Sequence, residues 1–336
     1  MIQAPWERRQ VQDPWRPPME LATGISVVVP VYRSEETVPE LVERLTVALE
    51  AISEPFEIIL VEDASPDGSW RRIEAVAEID QRVRGIRLSR NYGQHNALLC
   101  GIRAARFDRI VTLDDDLQNP PEEIAVLLRR LDDQTDVVYG TPVTEAHGLL
   151  RDLASKITKI ALQEAMGAEV ARNVSTFRVF RTRLRDAFQA YRGPYVSIDV
   201  LLTWGTTRFA HTAVAHQERK VGTSGYTLRK LVAHGLNMAT GFSTVPLQLA
   251  SFIGFLFFLF GLAVLIYVFA NYLINGPNNV PGFAFIASMI AIFSGAQLFA
   301  LGIIGEYLAR MHFRAMDRPT YQVRERTEDD DRRVGG

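Results

Sequence analysis

Two windows free of charge constrain this chain more than any other feature. Leu247 to Tyr272 and Asn278 to Gly305 contain no Asp, Glu, Lys or Arg. A helix of about 20 apolar residues crosses a bilayer core, and one charge at its centre costs roughly 2.5–3.5 kcal/mol. Both windows therefore predict transmembrane helices, over about 247–272 and 280–305, rather than helices of a soluble core. Arg229 and Lys230 precede the pair, Arg310, Arg314 and Arg318 follow it, and the connector Asn271 to Gly282 has neither Lys nor Arg. By the positive-inside rule both flanks are expected in the cytoplasm, with only the connector outside. The expectation is a multi-pass protein of the inner or plasma membrane with its large domain and both termini in the cytoplasm.

The remainder reads as a soluble protein. Of the 336 residues, 1–24 form an N-terminal extension without an apolar run, which predicts a cytosolic start rather than a cleaved leader. Residues 25–225 alternate β-rich runs with amphipathic stretches. Strands are expected at Ile25–Val31, Phe56–Val61, Gly85–Leu88, Arg109–Leu113 and Asp136–Tyr139. Helices are expected at Glu36–Ala51, Ser69–Ile79, Gln94–Ala105 and Pro120–Leu131. The fold class is α/β: a Rossmann-like, mostly parallel sheet with helices on both faces. Beyond it the pattern is less regular, with a helix expected over Leu149–Met166 and a strand at Phe209–Ala215. Residues 226–245 mix aliphatic positions with Arg229, Lys230 and His234, as an amphipathic helix in the membrane interface would. Residues 306–336 read as a cytoplasmic tail, and its acidic run Glu328–Asp331 is expected to be disordered and solvated.

Ligands of open parallel sheets bind at the carboxyl ends of strands, and three polar clusters fall there. They are Pro30-Val31-Tyr32, Glu62-Asp63-Ala64-Ser65-Pro66-Asp67-Gly68, and Asp114-Asp115-Asp116-Leu117-Gln118. Adjacent carboxylates repel unless something positive lies between them. In an extended segment Asp114, Asp116 and Gln118 point one way and Asp115 the other. Oxygen-only donors of this kind suit Mg²⁺ or Mn²⁺. Asn119, Pro120 and Glu122 read as the cap, first position and capping-box partner of the next helix. At the second cluster Asp63 suits a base or ribose, with Tyr32 stacking; turn capping by Asp63 and Asp67 is the plainer alternative.

Other chemistries lack support. A net charge of −2 gives no bulk case for nucleic acid. The single Cys100 lies in an apolar stretch and excludes an internal disulfide. The six histidines lack ligand spacing, and neither phosphate-loop nor nucleophile-elbow motifs occur. Basic residues gather later, at Arg151, Arg178, Arg219 and Lys220. Those before the interfacial segment suit a lipid phosphate or adhesion to anionic headgroups.

These motifs, with Asn91-Tyr92-Gly93, Asp114 through Glu122, and Gly305-Glu306-Tyr307-Leu308-Ala309-Arg310, resemble glycosyltransferase family 2. Within it they resemble the polyprenyl-phosphate glycosyltransferases, relatives of dolichol-phosphate mannose synthase with the GT-A fold. The resemblance spans about Ile25 to Tyr321. It implies that Asp116 is the principal metal ligand, helped by Asp114 and Gln118, and that Pro30, Tyr32, Asp63 and Asp115 line the nucleotide site. It also implies acceptor-phosphate contacts from Arg178 and Arg219, with Arg151 beside them. Ser224 and Tyr226 match a loop that closes over the site. Asp199, in Ser197-Ile198-Asp199, is a candidate for positioning the donor sugar. Arg33-Ser34 replaces the family's usual Asn-Glu, Glu62 its first Asp, and Asp115 its common Ala.

The implied reaction is inverting transfer of one sugar from a UDP- or GDP-linked donor to a polyprenyl phosphate, with Mg²⁺ or Mn²⁺ as cofactor. Donor, acceptor and bilayer are the expected partners, and self-association stays open. A processive polysaccharide synthase is disfavoured by two spans and by the absence of Gln-x-x-Arg-Trp. A membrane scaffold and a nucleotide-sugar hydrolase are the other rivals.

Overall fold

The computed structural model describes residues 21–142, 173–193, 196–217, 245–275, 283–316 and 318–329. The apolar runs build β1 (Ala22–Val31), β2 (Phe56–Glu62), β3 (Val83–Leu88), β4 (Phe107–Thr112) and β5 (Val137–Pro142). Two short strands, β6 (Arg178–Arg181) and β7 (Phe209–Val214), follow, and β8 (Val323–Arg326) comes after the apolar helices. The order across the sheet is β7-β5-β6-β4-β1-β2-β3-β8. β1 pairs in parallel with β2 and β4, β2 with β3, and β5 with β7; the pairs through β6 and β8 are antiparallel.

Period-two alternation divides the core into two layers. Val27, Val29, Val31, Ile58 and Leu60 face α1 (Thr37–Ile52) and α2 (Ser69–Ile79). Val28, Ile59 and Val61 face α3 (Gln94–Ala104) and α5 (Ile198–Thr203). Helix α3 sits hard on the sheet: a Cβ on Gly101 would lie 2.3 Å from a Val28 methyl. Helix α4 (Ile124–Arg130) is shorter than expected, preceded by a 3₁₀ turn at Pro121–Glu123. Pro120 is extended and Pro121 takes the first position, because a residue before proline is pushed out of the helical region. Asn119 therefore does not cap the helix, and Glu122 binds Arg44 instead.

Helices α6 (Val245–Asn275) and α7 (Phe283–Ala315) carry the two apolar windows. Their most apolar parts, Ala250–Asn271 and Ile292–Ala309, are long enough to cross a membrane, and neither is buried in the fold. They pack on each other through an edge-to-face contact of Phe257 with Phe293. The chain thus associates with a membrane through this pair.

The tail departs from expectation. Its β8 closes the β3 edge, and Glu328, expected in solvent, is bound by Arg84 and Arg106. Its alternating Val-Arg-Glu-Arg is a charged edge strand, which carries no apolar run for a sequence reading to find.

Candidate active site

The loops after β1, β2, β3 and β4 converge on one cleft of about 220 Å³. Pro30, Tyr32, Asp63, Gly93, Gln94 and the three consecutive aspartates wall it. Backbone strain concentrates at the same place. Among the described residues four non-glycine positions have positive φ: Arg33, Ala64 and Leu117, one in each polar loop, and Ser53 at the end of α1. Such conformations cost on the order of 1–2 kcal/mol each, so the surrounding bonds must hold them.

Those bonds run from loop to loop. Asp115 Oδ2 accepts the Tyr32 N–H at 3.0 Å and the Ser34 hydroxyl, tying the β4 loop to the β1 loop. Asp114 accepts Gln94 Nε2 at 2.5 Å on one oxygen and the Thr176 hydroxyl at 2.8 Å on the other. Asp63 Oδ1 accepts the Tyr92 N–H and Oδ2 the Gly93 N–H, both at 2.7 Å. Gly93 has φ 91, so it supplies a backbone turn that side chains rarely adopt. Asp63 therefore shapes the cleft wall as well as lining it.

Asp67 closes the second loop, accepting Ser65 and Ser69 hydroxyls at 2.5 and 2.6 Å. Burial alone would raise its pKa, but these bonds and two backbone N–H groups outweigh it, and the carboxyl titrates below its ordinary range. Burial pushes Asp63 up despite its two backbone donors. Burial pushes Asp115 up to about 6; the Ser34 and Tyr32 bonds oppose that, and the charges of Asp114 and Asp116 add to it.

A divalent cation fits this donor set within limits. Beyond β4 the chain bends and turns rather than staying extended, so strand alternation does not place these side chains. Asp115 is nonetheless turned to the β1 loop. Asp116 Oδ1 accepts the Gln118 N–H at 3.2 Å, while Gln118 is not among the residues walling the cleft. Among the described residues no three Asp, Glu, His or Cys side chains converge on one point. Mg²⁺ or Mn²⁺ in general needs only one or two protein carboxylates when ligand phosphates complete the shell.

Arg178 and Asp199 lie together beneath the cleft, not in its wall. Arg178 is 0% exposed and pairs with Asp199, itself 7% exposed. Arg178 Nε also donates to Thr112 Oγ1 at 3.0 Å, and Tyr139 Oη donates to Asp199 Oδ1 at 3.1 Å. The Thr112 hydroxyl bonds the Thr176 carbonyl at 2.7 Å, so this cluster reaches Asp114 through Thr176. Contact with a phosphate or a sugar needs an exposed group, and neither side chain offers one here. The pairing leaves no sequence signal, since 21 residues separate the partners. Gln94, Thr176 and Ser34 were likewise not legible as site residues; all three act through the aspartates. Arg151, Arg219, Ser224, Tyr226 and the 226–244 part of the interfacial segment lie outside the described residues.

Residues 26–190 match the family model for glycosyl transferase family 2. Over 301 residues the chain is 34% identical to the undecaprenyl-phosphate 4-deoxy-4-formamido-L-arabinose transferase of Yersinia pestis (strain Pestoides F), covering 89% of this chain and 92% of that one. The protein of the same name from Serratia proteamaculans (strain 568) is 35% identical over the same length. Among solved structures, glucosyl-3-phosphoglycerate synthase from Mycobacterium tuberculosis with Mn²⁺, uridine diphosphate and product superposes with TM-score 0.47 at 19% identity, over 65% of this chain and 78% of that one.

Proposed function

We propose, from the premise that this chain belongs to glycosyl transferase family 2 and is a glycosyltransferase, that it moves one sugar from a nucleoside diphosphate to a polyprenyl phosphate. The observation that carries this reading is the reach of the match. It covers 89% of the chain, long enough to take in membrane helices as well as the cleft, and the relative is by name an undecaprenyl-phosphate sugar transferase.

Each part of the cleft then has a task. Tyr32 and Pro30 from the β1 loop, with Asp63 and Asp115, hold the nucleotide. Asp116 and Asp114, with Gln118 beside them, hold Mg²⁺ or Mn²⁺. The cation supplies charge stabilisation for the departing diphosphate. An acceptor phosphate oxygen attacks the anomeric carbon, the bond to the nucleoside diphosphate breaks, and configuration inverts. That oxygen is already ionised at neutral pH, so no protein base is required. Arg219, with Arg151, receives the acceptor phosphate, because guanidinium pairs with phosphate through two parallel bonds. Ser224 and Tyr226 close the site. Arg178 and Asp199 serve from beneath, bracing the Thr112–Thr176–Asp114 connection.

The site faces the cytoplasm in this reading. Strand β7 precedes the helix pair and β8 follows it within one sheet, which supports both flanks lying on the same side. The Arg and Lys excess in those flanks supports the cytoplasmic side. The test uses full-length protein in lipid nanodiscs with polyprenyl phosphate, Mg²⁺ or Mn²⁺, and a panel of nucleotide-sugars. The lipid product is identified by mass. Donor consumption that needs no lipid acceptor would mark a hydrolase and end this reading.

A further inference from the structure

The strand that returns from the membrane helices touches the cleft's supports at two places. Strand β8 pairs antiparallel with β3, placing Arg87 opposite Glu325. Arg87 Nη1 donates to Glu325 Oε1 at 2.7 Å, and its Nε lies 3.2 Å from Glu62 Oε2. Glu62 is 0% exposed. Its other oxygen accepts the Ser65 N–H, which closes the strained Asp63–Ala64–Ser65 turn. A buried carboxylate needs a cation and hydrogen bonds to stay charged, and Arg87 is the cation paired with it among the described residues.

The second place is the loop after β3. Ser89 donates through both its N–H and its hydroxyl to the Gln322 carbonyl, at 2.9 and 3.1 Å. That loop continues to Tyr92 and Gly93, whose N–H groups meet Asp63. Both sides of the Asp63 bridge are therefore anchored to the same tail segment. One side runs through Glu325, Arg87 and Glu62, and the other through Gln322 and Ser89.

We infer that Arg87 is a positioning residue through which the C-terminal strand sets the geometry of the nucleotide wall. The inference rests on the reading of Asp63 as part of a nucleotide site. Glu328 provides the internal control. It anchors the same tail to Arg84 and Arg106, through bonds that do not reach Glu62 or Ser89. Loss of Glu328 loosens the tail without touching the two links.

The experiment compares Arg87→Gln, Arg87→Lys, Glu325→Gln and Glu328→Gln in the full-length protein. Affinity for uridine and guanosine diphosphate with Mn²⁺ is measured by calorimetry, alongside donor KM, kcat and the unfolding midpoint. Arg87→Gln should weaken nucleotide binding and raise donor KM by about tenfold, the low end for outer-shell supports, with kcat less affected. Glu325→Gln should weaken binding about threefold, a fraction of that outer-shell effect. Arg87→Lys should fall between wild type and Arg87→Gln, since one ammonium cannot serve both carboxylates with the same geometry. Glu328→Gln should lower the midpoint and leave nucleotide affinity at wild type.

Unchanged affinity in Arg87→Gln with a lowered midpoint would overturn the inference and make β8 a stabilising edge strand only. Should Arg87→Gln not fold, equal nucleotide affinity in Glu325→Gln and Glu328→Gln overturns it as well. A wild-type protein that binds neither nucleotide refutes the nucleotide reading itself, a result distinct from unchanged variants of a binding wild type.

Discussion

Replacing Arg178 with methionine separates a buried strut from a ligand contact. The guanidinium is 0% exposed and Asp199 is 7% exposed, so the change leaves a buried carboxylate whose remaining donor among the described residues is Tyr139 Oη. Removing one partner of a buried ion pair costs about 3–5 kcal/mol. At roughly 2–4 °C per kcal/mol for a domain of this size, the midpoint should fall by roughly 6–20 °C. Adding Asp199→Leu removes the orphaned charge and should recover about half of that. The rest stays lost because the Tyr139 hydroxyl then lacks its acceptor, at about 1–3 kcal/mol. Detergent-solubilised variants followed by intrinsic fluorescence on heating give the double-mutant cycle. Lipid transfer is assayed on the same preparations. A midpoint within about 1 kcal/mol of wild type, with transfer lost, would refute the reasoning and return Arg178 to the ligand.

Four further outcomes are expected. Asp116→Asn should abolish transfer and metal-dependent nucleotide binding, measured by calorimetry. Asp115→Ala should keep metal binding but weaken nucleotide binding about tenfold, on the scale of an outer-shell support, because it frees the Tyr32 loop. Asp136 is buried among Arg183, Arg208 and Thr206; burial alone would raise its pKa, but these bonds bring it down to about 2. Its contribution, about 2 kcal/mol, is full above an ordinary carboxylate's range and lost as pH falls from about 4 to about 2, so Asp136→Asn should be destabilised at pH 7 and match wild type near pH 2 in unfolding scans. A cysteine at Asn278 should be labelled from outside intact cells and one at Gly335 should not; the reverse pattern would invert the topology.

β1 and β2 were legible as runs of buried aliphatics, with the pattern Val27 to Val31 stating both layers, and β3 and β4 from the shorter apolar stretches ending at Leu88 and beginning at Ile110. β6 and β8 were not, since four residues flanked by arginines, or nearly all charged, look the same as loop. The strand-end rule found the loops that meet at the cleft, because it depends only on the order of strands and helices. It did not find their fastenings. Asp115 reaching Tyr32, or Thr176 reaching Asp114, joins residues 83 and 62 positions apart, and no local pattern encodes such a bond. Arg178 shows the limit best: the family resemblance implies a phosphate contact, and only packing reveals the acid it is already paired with.

The helix pair is inserted between the two opposite rims of one sheet, β7 before it and β8 after it. Seven strand spacings separate those rims, roughly 34 Å at about 4.8 Å each. A water-soluble version of the protein therefore cannot be made by stopping the chain ahead of α6. Truncation there strips β8 and leaves β3 as a bare edge ready to pair with other chains. Excision needs a splice instead, with a flexible bridge of about 40 residues to cover that span at roughly 5–6 Å times the square root of its length.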